Sequence, residues 1–394
     1  MTADFDPRLA RSNVARLAIA QALAGANAAV IYAIGAIIGA QLAPDSALST
    51  LPISLFVVGM AACIPPSGII ARRYGRRAAF LWGSACGVAG GLIAALSVFW
   101  GAFWLLCVAT FFGGAYAAVV LSFRFAAADC VAPAMRPRAL SLVMAGGVAA
   151  GVIGPQLVTG TMYLWPPHTF VITFIAQALV AALAALVLAG VRLPLPTAEE
   201  VAGGGRRLAE LVRQPRFVMA VTCGAVSYML MNFLMTAAPL AMHMHGHSQE
   251  NANLGLQWHV IAMYAPSFFT GRLITRFGAS RIVSLGLLLT GASTLVGLAG
   301  VDVAHFWLML ILLGVGWNFG FVGASAMVLE CHRPQERTRV QALNDFIVFS
   351  TMAIGSFSSG GLLTAHGWDL VLWVSLAPLL LAAAALLMGN RATS

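Results

Sequence analysis

Runs of about twenty apolar residues recur from one end of the chain to the other, each long enough to cross a ~30 Å hydrocarbon layer as a helix. No other feature restricts the fold so strongly. Only 9% of the 394 residues are charged and 60% are hydrophobic, whereas a soluble domain carries ~25% charged residues. The chain is therefore expected to be an all-α membrane protein. Twelve spans can be placed to within a few residues, at roughly 15–42, 48–70, 78–98, 101–125, 139–163, 168–191, 217–241, 253–275, 279–299, 304–328, 341–364 and 369–389.

The net charge of +9 would suit a nucleic-acid partner if it were clustered, but it is not. All 22 basic residues are arginines, and those in loops fall in alternate loops, from Arg8, Arg11 and Arg16 through Arg72, Arg73, Arg76 and Arg77 to Arg391. The intervening loops hold none, and this positive-inside asymmetry predicts a multi-pass inner-membrane protein with both termini cytoplasmic. Nucleic acid is not an expected partner; the lipid bilayer is. Cys63, Cys86, Cys107 and Cys223 fall within apolar runs and the loops placed outside contain no Cys, so no disulfide is expected. Two Asp and two Arg precede the first span and no small-residue cleavage site follows it, which argues against a removable signal peptide.

One substantial hydrophilic stretch, Arg192 to Arg216, divides the chain. Pro194, Pro196, Glu199, Glu200 and the run Gly203 to Gly205 mark it as a cytoplasmic linker. The expected organisation is a six-helix bundle at 1–191, a linker at 192–216 and a second six-helix bundle at 217–394. Internal repetition supports the division. Asp129-Cys130-x-x-Pro133-x-x-Arg136-x-Arg138 returns as Glu330-Cys331-x-x-Pro334-x-x-Arg337-x-Arg339, offset by ~200 residues, and Gly68 to Gly75 returns as Gly271 to Gly278. Six plus six spans in a parallel repeat is a transporter architecture.

Gly68-x-x-x-x-Arg73-x-Gly75-Arg76-Arg77, after the second span, resembles motif A of the major facilitator superfamily. Gly147-x-x-x-Gly151-x-x-Gly154-Pro155 in the fifth span resembles that superfamily's Gly-Pro motif. The resemblance covers essentially the whole chain and implies the major facilitator fold, with Gly68, Arg73, Gly75, Arg76 and Arg77 as gating residues. One departure is clear: Arg72 stands where the motif usually has Asp.

Met231 and Met235 in the seventh span lie four apart, as do His259 and Met263 in the eighth, so each pair shares a helical face. With helix boundaries near Ala241 and Asn253, Met235 and His259 would both lie ~9 Å deep and Met231 and Met263 ~15 Å deep. Three thioethers and an imidazole at matched depth favour a soft cation such as Cu(I). The alternative is core packing by methionine and a neutral histidine hydrogen-bonded to a neighbouring helix. A histidine ligand must be neutral, so metal binding through His259 should weaken as pH falls. Met242, His243, Met244, His245 and His247 form the outer turn between these spans and suit capture of a copper ion, or equally a merely polar loop. Cys130 and Cys331, at the inner ends of the fourth and tenth spans, are candidate release ligands or packing residues. Arg124 is expected to snorkel to the interface, and Asp345 to relay a proton or pair with an arginine.

The pairs Met231-x-x-x-Met235 and His259-x-x-x-Met263 resemble the CcoA-like copper importers of the major facilitator superfamily. That resemblance implies metal ligation by Met231, Met235, His259 and Met263. It also implies import of copper by alternating access, to supply assembly of cbb3-type cytochrome oxidase. Copper would then be the transported substrate, with no resident cofactor and a cytoplasmic copper chaperone as the acceptor. Two other readings stay open: a proton-coupled exporter of small organic molecules, and a copper-binding sensor or assembly factor on a transporter scaffold. No embedded catalytic triad, P-loop or zinc-type ligand set is present, so an enzyme is not expected.

Overall fold

The computed structural model describes residues 7–45, 48, 51–193, 195 and 206–393. Its described residues form helices joined by turns, with no strand among them. In chain order the helices are α1 (Pro7–Leu42), α2 (Leu51–Tyr74), α3 (Arg76–Trp100), α4 (Phe103–Val120), α5 (Phe123–Asp129), α6 (Arg136–Thr161) and α7 (Val171–Ala189). After the short α8 (Leu208–Leu211) come α9 (Pro215–Met244), α10 (Gln249–Tyr264), α11 (Ser267–Phe277), α12 (Ala279–Ala299) and α13 (Val303–Trp317). A π-helical turn, Asn318–Val322, leads into α14 (Gly323–Val328), then α15 (Arg337–His366) and α16 (Trp368–Thr393). The expected linker residues Pro194, Pro196, Glu199, Glu200 and Gly203 to Gly205 lie outside the described residues.

Eleven helices among the described residues are long and apolar enough to cross a membrane. The exception is the expected eighth span, 253–275, which is two helices, α10 and α11, broken at Ala265 and Pro266. Proline has no N–H to donate and its ring crowds the preceding turn, which weakens the helix here. Yet α2 and α9 keep Pro65, Pro66 and Pro239 within continuous helices, so the break at Pro266 also needs the support that Asn318 supplies. Counting α10 and α11 as one crossing gives the twelve-helix architecture. The fourth and tenth crossings are also interrupted, by Leu121 and Ser122 in one and by the π-turn in the other. With the repeat offset near 200 these interruptions are equivalent. The backbone repeats as well: Gly75 has φ 88° and ψ 159°, and Gly278 has φ 86° and ψ 150°. Both turns need a positive φ that only glycine adopts without strain, which explains why the two motifs keep it.

By internal contacts the chain divides into two compact units, residues 1–133 with 146–203, and residues 134–145 with 204–394. The first ten residues of α6 thus belong with the second unit. In the first unit, backbones touch where small residues allow it. A Cβ on Gly114 would collide with the carbonyl of Phe56, and one on Gly59 with that of Phe111, so α2 and α4 pack backbone to backbone. Gly146, Ala150 and Gly154 form the face of α6 that meets Ala18, Gly25 and Ala29 of α1. Gln177 donates to Asn27 Oδ1, and Asn27 Nδ2 donates to the Gly113 carbonyl at 3.4 Å, tying α7, α1 and α4 together. Arg76 pairs with Asp129 at 2.7 Å. Arg124 does not snorkel: its side chain is fully buried, donates to the Leu121 carbonyl and lies 4.3 Å over the Phe125 ring.

In the second unit a Cβ on Gly286 of α12 would collide with the backbone of Gly320 in the π-turn, and one on Gly320 with the Ser227 side chain of α9. The break in the eighth crossing is braced by one buried residue of that turn. Asn318 Nδ2 donates to the Met263 carbonyl and to Ser267 Oγ, each at 2.6 Å, and its Oδ1 accepts from Thr270 Oγ1 at 2.7 Å. The Met263 carbonyl, in the turn where the break interrupts the ladder, is therefore satisfied from the neighbouring helix.

Candidate functional site

His259 is fully buried, and its ring faces α13. Its Nδ1 lies 2.7 Å from the Leu310 carbonyl, so this nitrogen carries the proton, because a carbonyl can only accept. The orientation follows from how α10 packs. A Cβ on Gly255 would meet the Trp307 ring at 3.0 Å, and one on Gly314 would meet the His259 carbonyl at 2.7 Å. Small residues on facing helices thus bring this side of α10 against the tenth crossing. His259 Nε2 has no hydrogen-bond partner among the described residues. Met231 and Met263 are buried and Met235 is half-buried. The helices extend further than expected, to Met244 and from Gln249, which deepens all four residues but keeps their depths matched.

The outer turn is not one cluster. Met242 is fully buried in an apolar core with Phe306, Met309 and Trp368. His247 Nε2 lies 2.6 Å from the Val301 carbonyl and its ring meets Phe306 at 5.9 Å. His243, Met244 and His245 are exposed. Cys130 and Cys331 are both buried, with Asn13 Nδ2 3.8 Å from Cys130 Sγ and Cys331 Sγ donating to the Met327 carbonyl at 3.3 Å. Among the described residues no group of three or more His, Cys, Asp or Glu is arranged to hold a metal ion. Of the motif A residues, Gly68 lies in α2, Gly75 makes the turn, Arg76 holds Asp129, and Arg73 and Arg77 are exposed. Asp345 is buried in α15 and accepts from Asn344 Nδ2 at 3.0 Å.

What the second unit does assemble is an aromatic wall drawn from four crossings. Tyr228 of α9 meets Trp317, Phe321 and Phe349 edge to face, at centroid distances of 5.4, 5.0 and 4.9 Å. Tyr264, at the end of α10, also meets Trp317 edge to face, at 5.5 Å. Trp317 and Phe321, four apart across the π-turn, stack at 5.4 Å with their planes 16° apart. Trp317, Phe321 and Phe349 are buried, whereas Tyr228 and Tyr264 are half-buried and form the accessible edge. Trp317 Nε1 and Asn232 Nδ2 are buried donors without partners among the described residues. Asn232 lies one turn from Tyr228 on the same face of α9. Flat apolar faces beside unused donors suit a planar ring that carries acceptors.

The family model described as Major Facilitator Superfamily matches residues 17–257 and 220–394. The chain belongs to this superfamily. It is thus a membrane-embedded transporter and not an enzyme. The chain is 47% identical over 371 residues to the riboflavin transporter RfnT of Brucella anthropi, an alignment covering 94% of this chain and 93% of that one. Among solved structures it resembles the proton:xylose symporter XylE, with TM-score 0.77, 14% identity and coverage of 97% and 96%. It resembles equally a bacterial homologue of the iron transporter ferroportin, with TM-score 0.73, 16% identity and coverage of 96% and 99%. A proton:xylose symporter and a homologue of an iron transporter share this scaffold, so the fold does not choose the cargo. The extensive identity to RfnT does bear on it, and it overturns the copper reading. Copper import, copper supply to cbb3-type oxidase and membership of the CcoA-like importers conflict with a relative that carries riboflavin. The Leu310 carbonyl takes the proton of His259 Nδ1 and leaves Nε2 without a partner among the described residues, an arrangement that a packed neutral histidine shares with a ligating one, so the geometry of this ring does not choose between them.

Proposed function

We propose that this facilitator carries riboflavin, or a flavin with the same ring system, across the bacterial inner membrane by alternating access of its two six-helix halves. The observation that carries this reading is the 47% identity to a riboflavin transporter over nearly the full length of both chains. The aromatic wall supports it. The isoalloxazine system is flat, apolar on its faces and rich in carbonyl and ring-nitrogen acceptors at its edge, which matches Tyr228 and Tyr264 backed by Trp317, with the Trp317 and Asn232 donors nearby. The alternation of arginine-bearing loops supports cytoplasmic termini.

The test is uptake of radiolabelled riboflavin into proteoliposomes containing the purified protein, against empty liposomes and with unlabelled riboflavin, xylose or copper as competitors. Saturable uptake displaced by riboflavin alone is the expected result. Uptake no faster than into empty liposomes, in either orientation of the gradient, would overturn the assignment.

A further inference from the structure

We propose that the arginine-bearing end of the first unit holds a binding site for the phosphate headgroup of an anionic membrane lipid. A depression of about 270 Å³ opens where α2 turns into α3 and where the chain leaves α7. Arg76, Arg77 and Arg192 line it together with Tyr74, Leu193 and Leu195.

The rim is held in place. Gly75 turns the chain so that Arg76 and Arg77 open α3, and no side chain caps that helix. On the other side, Asn13 Nδ2 donates to the Arg192 carbonyl at 2.6 Å and Asn13 Oδ1 accepts from the Arg192 N–H at 3.0 Å. Arg16 donates to the Gly190 carbonyl two residues earlier. The segment after α7 is therefore fixed to α1, and Arg192 stands at a set position.

The charges around the depression do not balance. Asp129 pairs with Arg76, but among the described residues no carboxylate is paired with Arg77 or Arg192. Arg72, where motif A usually has Asp, removes a further local acid. Two guanidiniums beside one cavity suit a phosphate, which accepts their planar N–H groups in pairs.

The remaining lining selects the source of that phosphate. Tyr74 and Leu195 are 68% and 76% exposed, apolar side chains beside the arginines. Inorganic phosphate gains nothing from them. A glycerophospholipid does, because its glycerol and upper acyl carbons follow the headgroup, and the cytoplasmic leaflet, where the charge rule puts this end, is the one where anionic lipids meet basic pockets.

The experiment uses the full chain in neutral detergent, with thermal unfolding and native mass spectrometry read in parallel. Phosphatidylglycerol, phosphatidylcholine and inorganic phosphate are added separately to the wild type, to an R77Q/R192Q variant and to an R11Q/R281Q control. All four substituted arginines are exposed, so the variants should fold, and an unfolding midpoint without lipid equal to wild type verifies it. Phosphatidylglycerol should raise the wild-type midpoint and remain bound in the gas phase, phosphatidylcholine should do neither, and binding to R77Q/R192Q should be weaker by about tenfold or more. Equal phosphatidylglycerol binding by R77Q/R192Q and wild type would overturn the site. Equal stabilisation by inorganic phosphate alone would overturn the lipid as its occupant. Neither outcome depends on which cargo the transporter carries.

Discussion

Tyr228 touches three rings on two neighbouring crossings, while its own half-buried ring stays within reach of a ligand. Aromatic pairs of this kind contribute ~0.5–1.5 kcal/mol beyond area burial, which corresponds to about twofold to about tenfold in affinity. Tyr228→Ala should therefore raise the riboflavin concentration for half-maximal uptake by about that factor, with Tyr228→Phe close to wild type. An equal loss in both variants would point to the hydroxyl rather than the ring. The methionine pair singled out by its spacing begins at Met231, three residues after this tyrosine. A four-residue spacing is visible in sequence, but a wall assembled from Tyr228, Tyr264, Trp317 and Phe349 is not, because its members are far apart in the chain and meet only when the helices pack. A second residue-scale effect concerns Glu336, in the turn Pro334–Glu336 just before α15. Arg206 pairs with it at 2.7 Å, and this hydrogen-bonded guanidinium lowers the carboxyl from 4.5 to about 2. A depressed pKa in the folded state contributes stability that is present above pH 4.5 and lost as pH falls toward 2. The unfolding midpoint of the wild type should thus fall with acidification through that window, and Glu336→Gln should fall less steeply from a lower starting value. Parallel pH curves for the two proteins would refute the linkage.

At the scale of elements, most of what the sequence predicts are the helices themselves, since a run of twenty apolar residues has few alternatives in lipid. The ninth crossing, for instance, was expected at 279–299 and is found at Ala279–Ala299. The eighth was expected to be continuous, because its apolar pattern runs on past Pro266; the break is a backbone effect that hydrophobicity does not register. What sustains the break is Asn318, a buried polar residue in a largely apolar crossing, held in a π-turn of the kind often found at functional sites. Its three side-chain hydrogen bonds join the end of α10, the start of α11 and the tenth crossing. Asn318→Leu should leave the Met263 carbonyl and Ser267 Oγ short of a buried partner, at a cost of ~1–3 kcal/mol for each group left unsatisfied. The expected readout is a lower unfolding midpoint together with slower riboflavin uptake. An unchanged midpoint would mean that the break is stable without the brace. His259 shows the complementary limit: spacing gives its partners along α10 but not the rotation of that helix, which Gly255 and Gly314 fix by letting the tenth crossing approach.

For the molecule as a whole, two compact units built from an internal repeat give the architecture of a facilitator, and the motifs around Gly75 and Gly278 carry that repeat in the sequence itself. The cargo is not legible there, since scaffolds of this shape serve a xylose symporter and an iron-transporter homologue alike. The decisive contrast is between thioether chemistry and ring stacking, and one variant separates them. Replacing Met231, Met235 and Met263 together by leucine removes the thioether sulfurs while nearly conserving volume, a swap that usually costs less than ~1.5 kcal/mol per site. A carrier that ligates a soft cation through those sulfurs would lose transport completely. A carrier that stacks a planar ring on Tyr228 and Tyr264 should keep its riboflavin uptake within about twofold, since no aromatic residue and neither the Trp317 nor the Asn232 donor has changed. Uptake of riboflavin and of copper, measured side by side in proteoliposomes carrying equal amounts of wild type and triple variant, should show riboflavin entering through both and copper through neither. Riboflavin uptake abolished in a triple variant that unfolds at the wild-type temperature would show instead that the methionine sulfurs touch the cargo, and would move the ring site from the Tyr228 wall to the face that carries Met231 and Met235.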